Sequence, residues 1–468
     1  MRAPRTTPKR RRRSALGRLG LAGALLSFGS GLSVPALADE LRVAAPRAAV
    51  PLHEAFSQPL TELDDAARER FLHGRSLFRR AWVIGPTADG NGVGLGPLYN
   101  RLSCIACHPA NGRGRAPDTP DQRLQSMLVR LSLPGTGPHG GPRPHPAYGD
   151  QLNEEGVPGV PGEARVSITW REQRLRLPDG EVVSLRQPRI DFIDAAYGPL
   201  QGVLTSARVG PGVYGLGLLE AVPDAALEAL ARQAQPDGVH GRLNRVWDPV
   251  QRRLRIGRFG WKANVADLEA QVVQAAAGDL GLTSPALPEP ACAPRQTACR
   301  QVAAATGSAA PELGTADVQA LTDYMRRLAP PPERDVGVLS VELGRRLFAQ
   351  IGCALCHRPA LPLTSLPGHP PQQAAAYTDL LLHDMGPGLA DGRPDYRASA
   401  RQWRTAPLWG LGLVPQVNEH SQYLHDGRAR GLQEAVLWHG GEAARARQRY
   451  VALPQPDRQA LLAFVASR

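Results

Sequence analysis

Cys104-Ile105-Ala106-Cys107-His108 and Cys353-Ala354-Leu355-Cys356-His357 decide how this sequence is read. Each is a C-x-x-C-H segment, the attachment sequence of c-type haem. Its two thiols add across the two vinyl groups on one side of a porphyrin. The His directly after them lies under the ring and binds the iron. One such pentapeptide arises by chance in roughly 10⁻³ to 10⁻² of chains this size, so two carry a strong signal. A Cys₄ zinc ribbon wants its C-x-x-C halves about 15–20 residues apart, and here most of the chain separates them. A thioredoxin-like motif needs a βαβ context that neither segment has. Neither alternative accounts for a His in the fifth position twice. The two remaining cysteines, Cys292 and Cys299, lie in a Pro/Ala-rich stretch read as a loop, and a local structural disulfide is expected there.

The surroundings of the two motifs repeat. Gly74-Arg75-Ser76-Leu77-Phe78 precedes the first and Gly344-Arg345-Arg346-Leu347-Phe348 the second, each in an amphipathic helical run. The first run opens with Thr61-Glu62-Leu63-Asp64, a capping-box pattern. A Gly-rich insert at residues 90–96 separates it from its cysteines. Each copy ends in an apolar helix: Val318, Leu321, Tyr324, Met325 and Leu328 in one, Leu461, Leu462, Phe464 and Val465 in the other. Pro330-Pro331-Pro332 then breaks the chain, which places a domain boundary at residue 330. Between about residues 124 and 260 the first copy carries a large insertion. A hairpin is expected across Pro178-Asp179-Gly180 and another across Asp248-Pro249, with one helix over 216–231. The fold class is therefore mainly α: two cytochrome-c-like haem domains, 39–330 and 331–468, with long loops and a small β-containing insertion in the first.

The chain has 468 residues, of which 42% are hydrophobic and 5% aromatic, with 49 Gly and 44 Pro. That excludes wholesale disorder and predicts a loop-rich fold. The net charge of +12 is mostly terminal. Residues 1–38 hold Arg2, Arg5, Lys9, Arg10 to Arg13 and Arg18 and no acid, and without those eight charges +4 remains. A basic start, an apolar run and Ala36-Leu37-Ala38 before Asp39 read as a secretory signal. Gly29, Ser30, Gly31 and Pro35 interrupt the run, which falls short of a membrane span. A periplasmic or otherwise exported protein is expected, with no membrane span after signal removal. The remaining Arg residues interleave with acids, so no nucleic-acid partner is expected.

Several longer segments resemble a known family. Arg258-Phe259-Gly260-Trp261-Lys262-Ala263, Tyr423-Leu424-His425-Asp426-Gly427-Arg428-Ala429 and Trp438-His439-Gly440-Gly441-Glu442-Ala443 look like the di-haem oxidoreductase family. That family is related to the bacterial di-haem cytochrome c peroxidases and the methylamine-utilisation di-haem enzyme. The resemblance implies two covalently bound haem c groups, with room for a calcium ion. It implies a peroxide site at the N-terminal haem, a small redox donor (a cytochrome c or copper protein) serving the C-terminal haem, and a homodimer. Trp261 falls at the family's Trp between the haems. Gln271 matches its active-site Gln, and Asp279 falls near its active-site Glu, with a shorter side chain and a spacing different by about two residues. Peroxide cleavage needs a group to take and return a proton and polar groups to stabilise developing charge, which a carboxylate and an amide supply. Read without the family, Trp261 is core, Gln271 a solvated helix position and Asp279 a helix C-terminal or turn residue.

His439 sits where the peroxidases place a Met ligand and the methylamine-utilisation enzyme a Tyr, so it is the expected second ligand of the C-terminal haem iron, with Met385 as the rival. His425 reads as a turn residue near the haem, and His139 and His145 as loop histidines. Arg113, Arg115 and Arg208 are candidate partners for haem propionates. The N-terminal haem on His108 has no evident second ligand, and an open iron suits chemistry while a closed one suits electron transfer. Three readings follow: a peroxidase, a non-enzymatic electron carrier, and an oxidase of an organic, thiol or protein substrate.

Overall fold

The two Gly-Arg-x-Leu-Phe segments occupy the same place in two helix pairs. The computed structural model describes residues 50–60, 63–84, 94–306, 310–364 and 373–468. The leader, Thr61 and Glu62, and most of the Gly-rich insert lie outside them. Helix Asp65–Arg79 packs on Thr315–Arg327, and helix Leu339–Gln350 packs on Gln455–Ser467. In the first helix Ala67, Phe71, Gly74, Leu77 and Phe78 are buried, three or four residues apart along most of one stripe. Glycine lets each pair approach closely. A Cβ on Gly74 would run into the carbonyl oxygen of Ala320, and one on Gly344 into that of Ala460. The terminal Phe of each segment then reaches its motif histidine: Phe78 lies 6.2 Å from His108 and Phe348 6.3 Å from His357, ring centre to ring centre.

The first helix starts later than its capping box implied. Asp64 is the N-cap, its carboxylate accepting from Ala67 N at 2.7 Å. The single helix expected over 216–231 is two, Leu216–Glu220 and Asp224–Arg232. Pro223 caps the second and has no N–H to continue the first. The stretch around the third cysteine pair is not all loop. Cys299 lies in helix Thr297–Thr306, and its disulfide to Cys292 ties the preceding segment to that helix.

Twelve α-helices and thirteen strands appear among the described residues. The β content exceeds what the sequence indicated. Strand Met127–Thr136 sits between Pro142–Arg143 and Leu204–Val209 in a three-stranded antiparallel sheet. Both expected hairpins form. Arg165–Arg176 pairs with Val182–Ile193 over twelve residues, and Arg245–Asp248 with Arg253–Ile256. The longer hairpin is strapped to the C-terminal part of the chain. Arg430 pairs with Glu172 at 2.9 Å, Arg458 with Asp179 and Glu181 at 2.5 and 2.8 Å, and Arg186 donates to the Gly427 carbonyl at 3.2 Å. Both large apolar clusters draw on both ends of the chain. One joins Phe71 and Tyr324 to Trp409, and the other joins Val129 and Ile168 to Phe348 and Phe464.

Candidate functional site

Each motif histidine is held by its inner ring nitrogen. His108 Nδ1–H donates to the Pro211 carbonyl at 2.7 Å, and His357 Nδ1–H donates to the Tyr377 carbonyl at 2.9 Å. Such a bond fixes the tautomer and leaves Nε2 as a free donor for a metal. Strand Leu204–Val209 delivers Pro211 to its place. A Cβ at Gly210 would lie 2.7 Å from the Cys107 carbonyl and 3.0 Å from His108 Cε1, so only glycine lets the strand end come this close. The four motif thiols are free. Burial pushes Cys104, Cys107 and Cys353 up to about 12, with the Asp279 charge adding to the rise at the first two.

The two motifs differ in what faces them. His439 ends helix Leu432–Trp438 and donates from Nδ1 to the Ala435 carbonyl at 2.7 Å, so its Nε2 is also free. Its ring centre lies 6.4 Å from that of His357. Two imidazoles binding one metal from opposite sides, each through a bond of about 2.0 Å, have ring centres about 6 to 6.5 Å apart. Burial lowers the pKa of both rings, that of His357 to about 4, which keeps each ring neutral, with its proton on Nδ1 and Nε2 unprotonated. At the first motif the ring partner of His108 is Phe78, and among the described residues no histidine takes the place of His439.

One cavity of about 430 Å³ is lined by all of these groups. Cys104, Cys107 and His108 border it at one place, and Cys353, Cys356, His357 and His439 at another. Trp261, Gln271, Asp279 and Met385 line it as well, with Met127 and Met325. Trp261 is fixed by Nε1–H donating to the Val209 carbonyl at 2.8 Å, and the Arg113 guanidinium lies 5.6 Å from its ring centre. Gln271 and Asp279 are on helix Leu268–Leu280. Burial raises the Asp279 pKa, and its carboxylate accepts from Gln151 Nε2 at 2.7 Å. His139 and His145 are not among the lining residues. His139 stacks on Trp247, and His145 accepts from Ala147 N.

Several lining residues escaped the sequence reading. His383 is buried beside the second motif, 3.6 Å from Cys356 Sγ, between Asp379 Oδ2 at 2.8 Å and Glu442 Oε2 at 2.7 Å. Burial opposes its charge, but bonds to Asp379, Cys356 and Glu442 outweigh that and push it up to about 12. Only its place in His383-Asp384-Met385, near the rival ligand, hinted at it. His425, read from the sequence as a turn residue near the haem, does line the cavity; it is buried and stacks on Trp403 with ring centres 3.6 Å apart. Of the three arginines named for propionates, Arg115 is exposed and does not line the cavity, and Arg208 is committed to Asp395 at 3.0 Å. Arg113 lines the cavity and is buried.

This donor set fits two covalently held haems. It offers two thiol pairs, two imidazoles with a free Nε2 and one opposed imidazole around an apolar hollow. The family model described as "Di-haem oxidoreductase, putative peroxidase" matches residues 49–468. No curated protein matches the chain. Two solved structures are distant likenesses. Hydrazine synthase of Kuenenia stuttgartiensis under xenon pressure is 13% identical with a TM-score of 0.36, covering 97% of this chain and 100% of its own. The diheme peroxidase BthA of Burkholderia thailandensis is 16% identical with a TM-score of 0.27, covering 55% of this chain and 81% of its own.

Proposed function

Because this chain belongs to the di-haem oxidoreductase family, we propose that it is an exported c-type di-haem enzyme that reduces hydrogen peroxide at the N-terminal haem. One peroxide takes two electrons and two protons and leaves as two waters. The electrons come singly from a small donor protein, a cytochrome c or a copper protein. Haem iron supplies the one-electron chemistry and, where a coordination position is open, a place for peroxide to bind.

The chain's own residues divide the work. Cys104 and Cys107 anchor one haem, and Cys353 and Cys356 the other. His108 and His357 are the proximal ligands. His439 would give the second haem a further protein ligand, which suits that centre to electron relay. The carrying observation is the 6.4 Å spacing of His357 and His439, set against a His108 that no second histidine faces among the described residues. Trp261 lines the cavity shared by both motifs and serves as the bridge between them. Asp279 would hold and return the proton that peroxide cleavage moves, and its raised pKa suits that exchange. Gln271, on the same helix, orients the substrate.

Electron paramagnetic resonance of the purified protein, with a cyanide and peroxide titration, tests this reading. One low-spin and one high-spin ferric centre are expected, with the high-spin signal consumed by either ligand. Two low-spin centres in every redox state, binding neither ligand, would sink the peroxidase and leave an electron carrier.

A further inference from the structure

Nine Lys and Arg side chains are buried among the described residues. Eight have a carboxylate at salt-bridge distance, as Arg428 has Asp426 at 2.7 Å and Lys262 has Asp391 at 2.9 Å. Arg113 is the exception. Its side chain donates to a single neutral group, the Leu424 carbonyl at 2.5 Å, and its Nε is buried with no partner. A second guanidinium on the cavity wall, half-buried, also lacks such a partner. Arg404 donates to the carbonyls of Gly260 at 2.8 Å and Thr405 at 3.2 Å, and among the described residues no carboxylate lies at salt-bridge distance from it, Asp379 acting only from further off. Burial pulls both below the ordinary arginine range, to about 10.

A buried charge without a counter-charge costs several kcal/mol, so folded proteins pair such groups. Both arginines line the cavity and both adjoin Trp261. Arg113 lies over its ring, and Arg404 accompanies its backbone, with Arg404 N donating to the Trp261 carbonyl at 2.9 Å. The missing partners are therefore anions that arrive with whatever fills the cavity. A haem carries two propionate carboxylates, and a guanidinium fork matches a carboxylate with two parallel bonds. Arg113 follows His108 by five residues. Arg404 lies on the strand Gln402–Arg404, which pairs with Leu382–Asp384 a few residues beyond the Tyr377 carbonyl that holds His357.

Resting on the di-haem reading above, we propose that Arg113 and Arg404 each hold a propionate of a bound haem, Arg113 for the haem on His108 and Arg404 for the haem on His357. Each ion pair stands beside Trp261 and biases the potential of its own haem.

The test is spectroelectrochemical titration of the purified holoprotein and of Arg113→Gln, Arg404→Gln and their Lys counterparts. Haem per chain is measured first in the unaltered protein. Fewer than two haems would overturn the di-haem reading itself. With two present, each Gln variant is expected to lower the midpoint potential of one haem and leave the other in place. Its potential also gains a steeper pH dependence, because an unpaired propionate titrates nearer neutrality. Each Lys variant keeps the charge and loses the fork, so its potential stays near the unaltered value while the propionate bending band in the resonance Raman spectrum moves. Arg115→Gln, at an exposed cation near the first motif, serves as the control. Unmoved potentials in the Gln variants, or an equal shift in the control, overturn the proposal. If a Gln variant does not fold, an unmoved Raman band in its Lys counterpart does the same.

Discussion

In the proposed function, the division of labour between the two haems turns on His439. Replacing it with alanine removes the imidazole opposite His357. The expected result is conversion of one haem to high spin at unchanged haem content, read in the absorption and paramagnetic spectra. An unchanged spectrum points to Met385. A second residue gives a prediction about pH. Glu163 is buried, accepts from Asn153 N at 2.6 Å and from Gln296 Nε2 at 2.5 Å, and burial raises its pKa from 4.5 to about 8. The folded protein thus keeps a proton that the unfolded chain gives up above about pH 4.5. Stability from this group is complete below pH 4.5 and is lost as pH rises towards about 8. Glu163→Gln should flatten that decline in denaturant midpoints measured from pH 5 to 8. At this scale the sequence was most informative where covalent chemistry imposes spacing. C-x-x-C-H has one geometry to satisfy, so it reads directly. His383, Arg404 and the His425–Trp403 stack take much of their meaning from partners distant in the chain, such as Glu442 or Gly260, and no local pattern announces them.

At the scale of elements, the repeated glycine was visible and its purpose was not. Gly344 lets Leu339–Gln350 approach Gln455–Ser467 until the Ala460 carbonyl fills the space a methyl would need. Gly344→Ala gains up to about 1 kcal/mol of helix propensity and forces the pair apart. A net loss of about 2 kcal/mol is expected, read as a lower denaturant midpoint, with Phe348 displaced from His357 and the haem spectrum altered. A stabilised variant would show that the helices do not cross so closely. The hairpins were legible from alternation and turn residues. The sheet around Met127–Thr136 was not, because its partner Leu204–Val209 is about seventy residues away and pairs without a tight turn. The helix break at Pro223 was in plain sight and lost to a strong apolar period.

At the scale of the molecule, the duplication reads as two halves, yet the contacts braid them. The hairpin Arg165–Ile193 belongs to the first half by sequence and is bound by Arg430 and Arg458 of the second. Asn418, also from the second half, accepts from Arg113 N and donates to the Pro109 carbonyl beside the first motif. Residues 331–468 expressed alone should therefore be protease-sensitive and take up haem poorly, although they hold a complete motif with both histidines. A soluble, haem-loaded fragment with a cooperative melt would contradict this.

The strapped hairpin also sets a timetable. Glu172 waits 258 residues of chain for Arg430, and Asp179 waits 279 for Arg458. A chain emerging from its N-terminus completes the first motif and the hairpin long before their clasps exist. The hairpin thus stands without its clasps during that interval, and is tied down only when Arg458 arrives on the last helix. Moving the clasps ahead of the hairpin by circular permutation would shorten the interval.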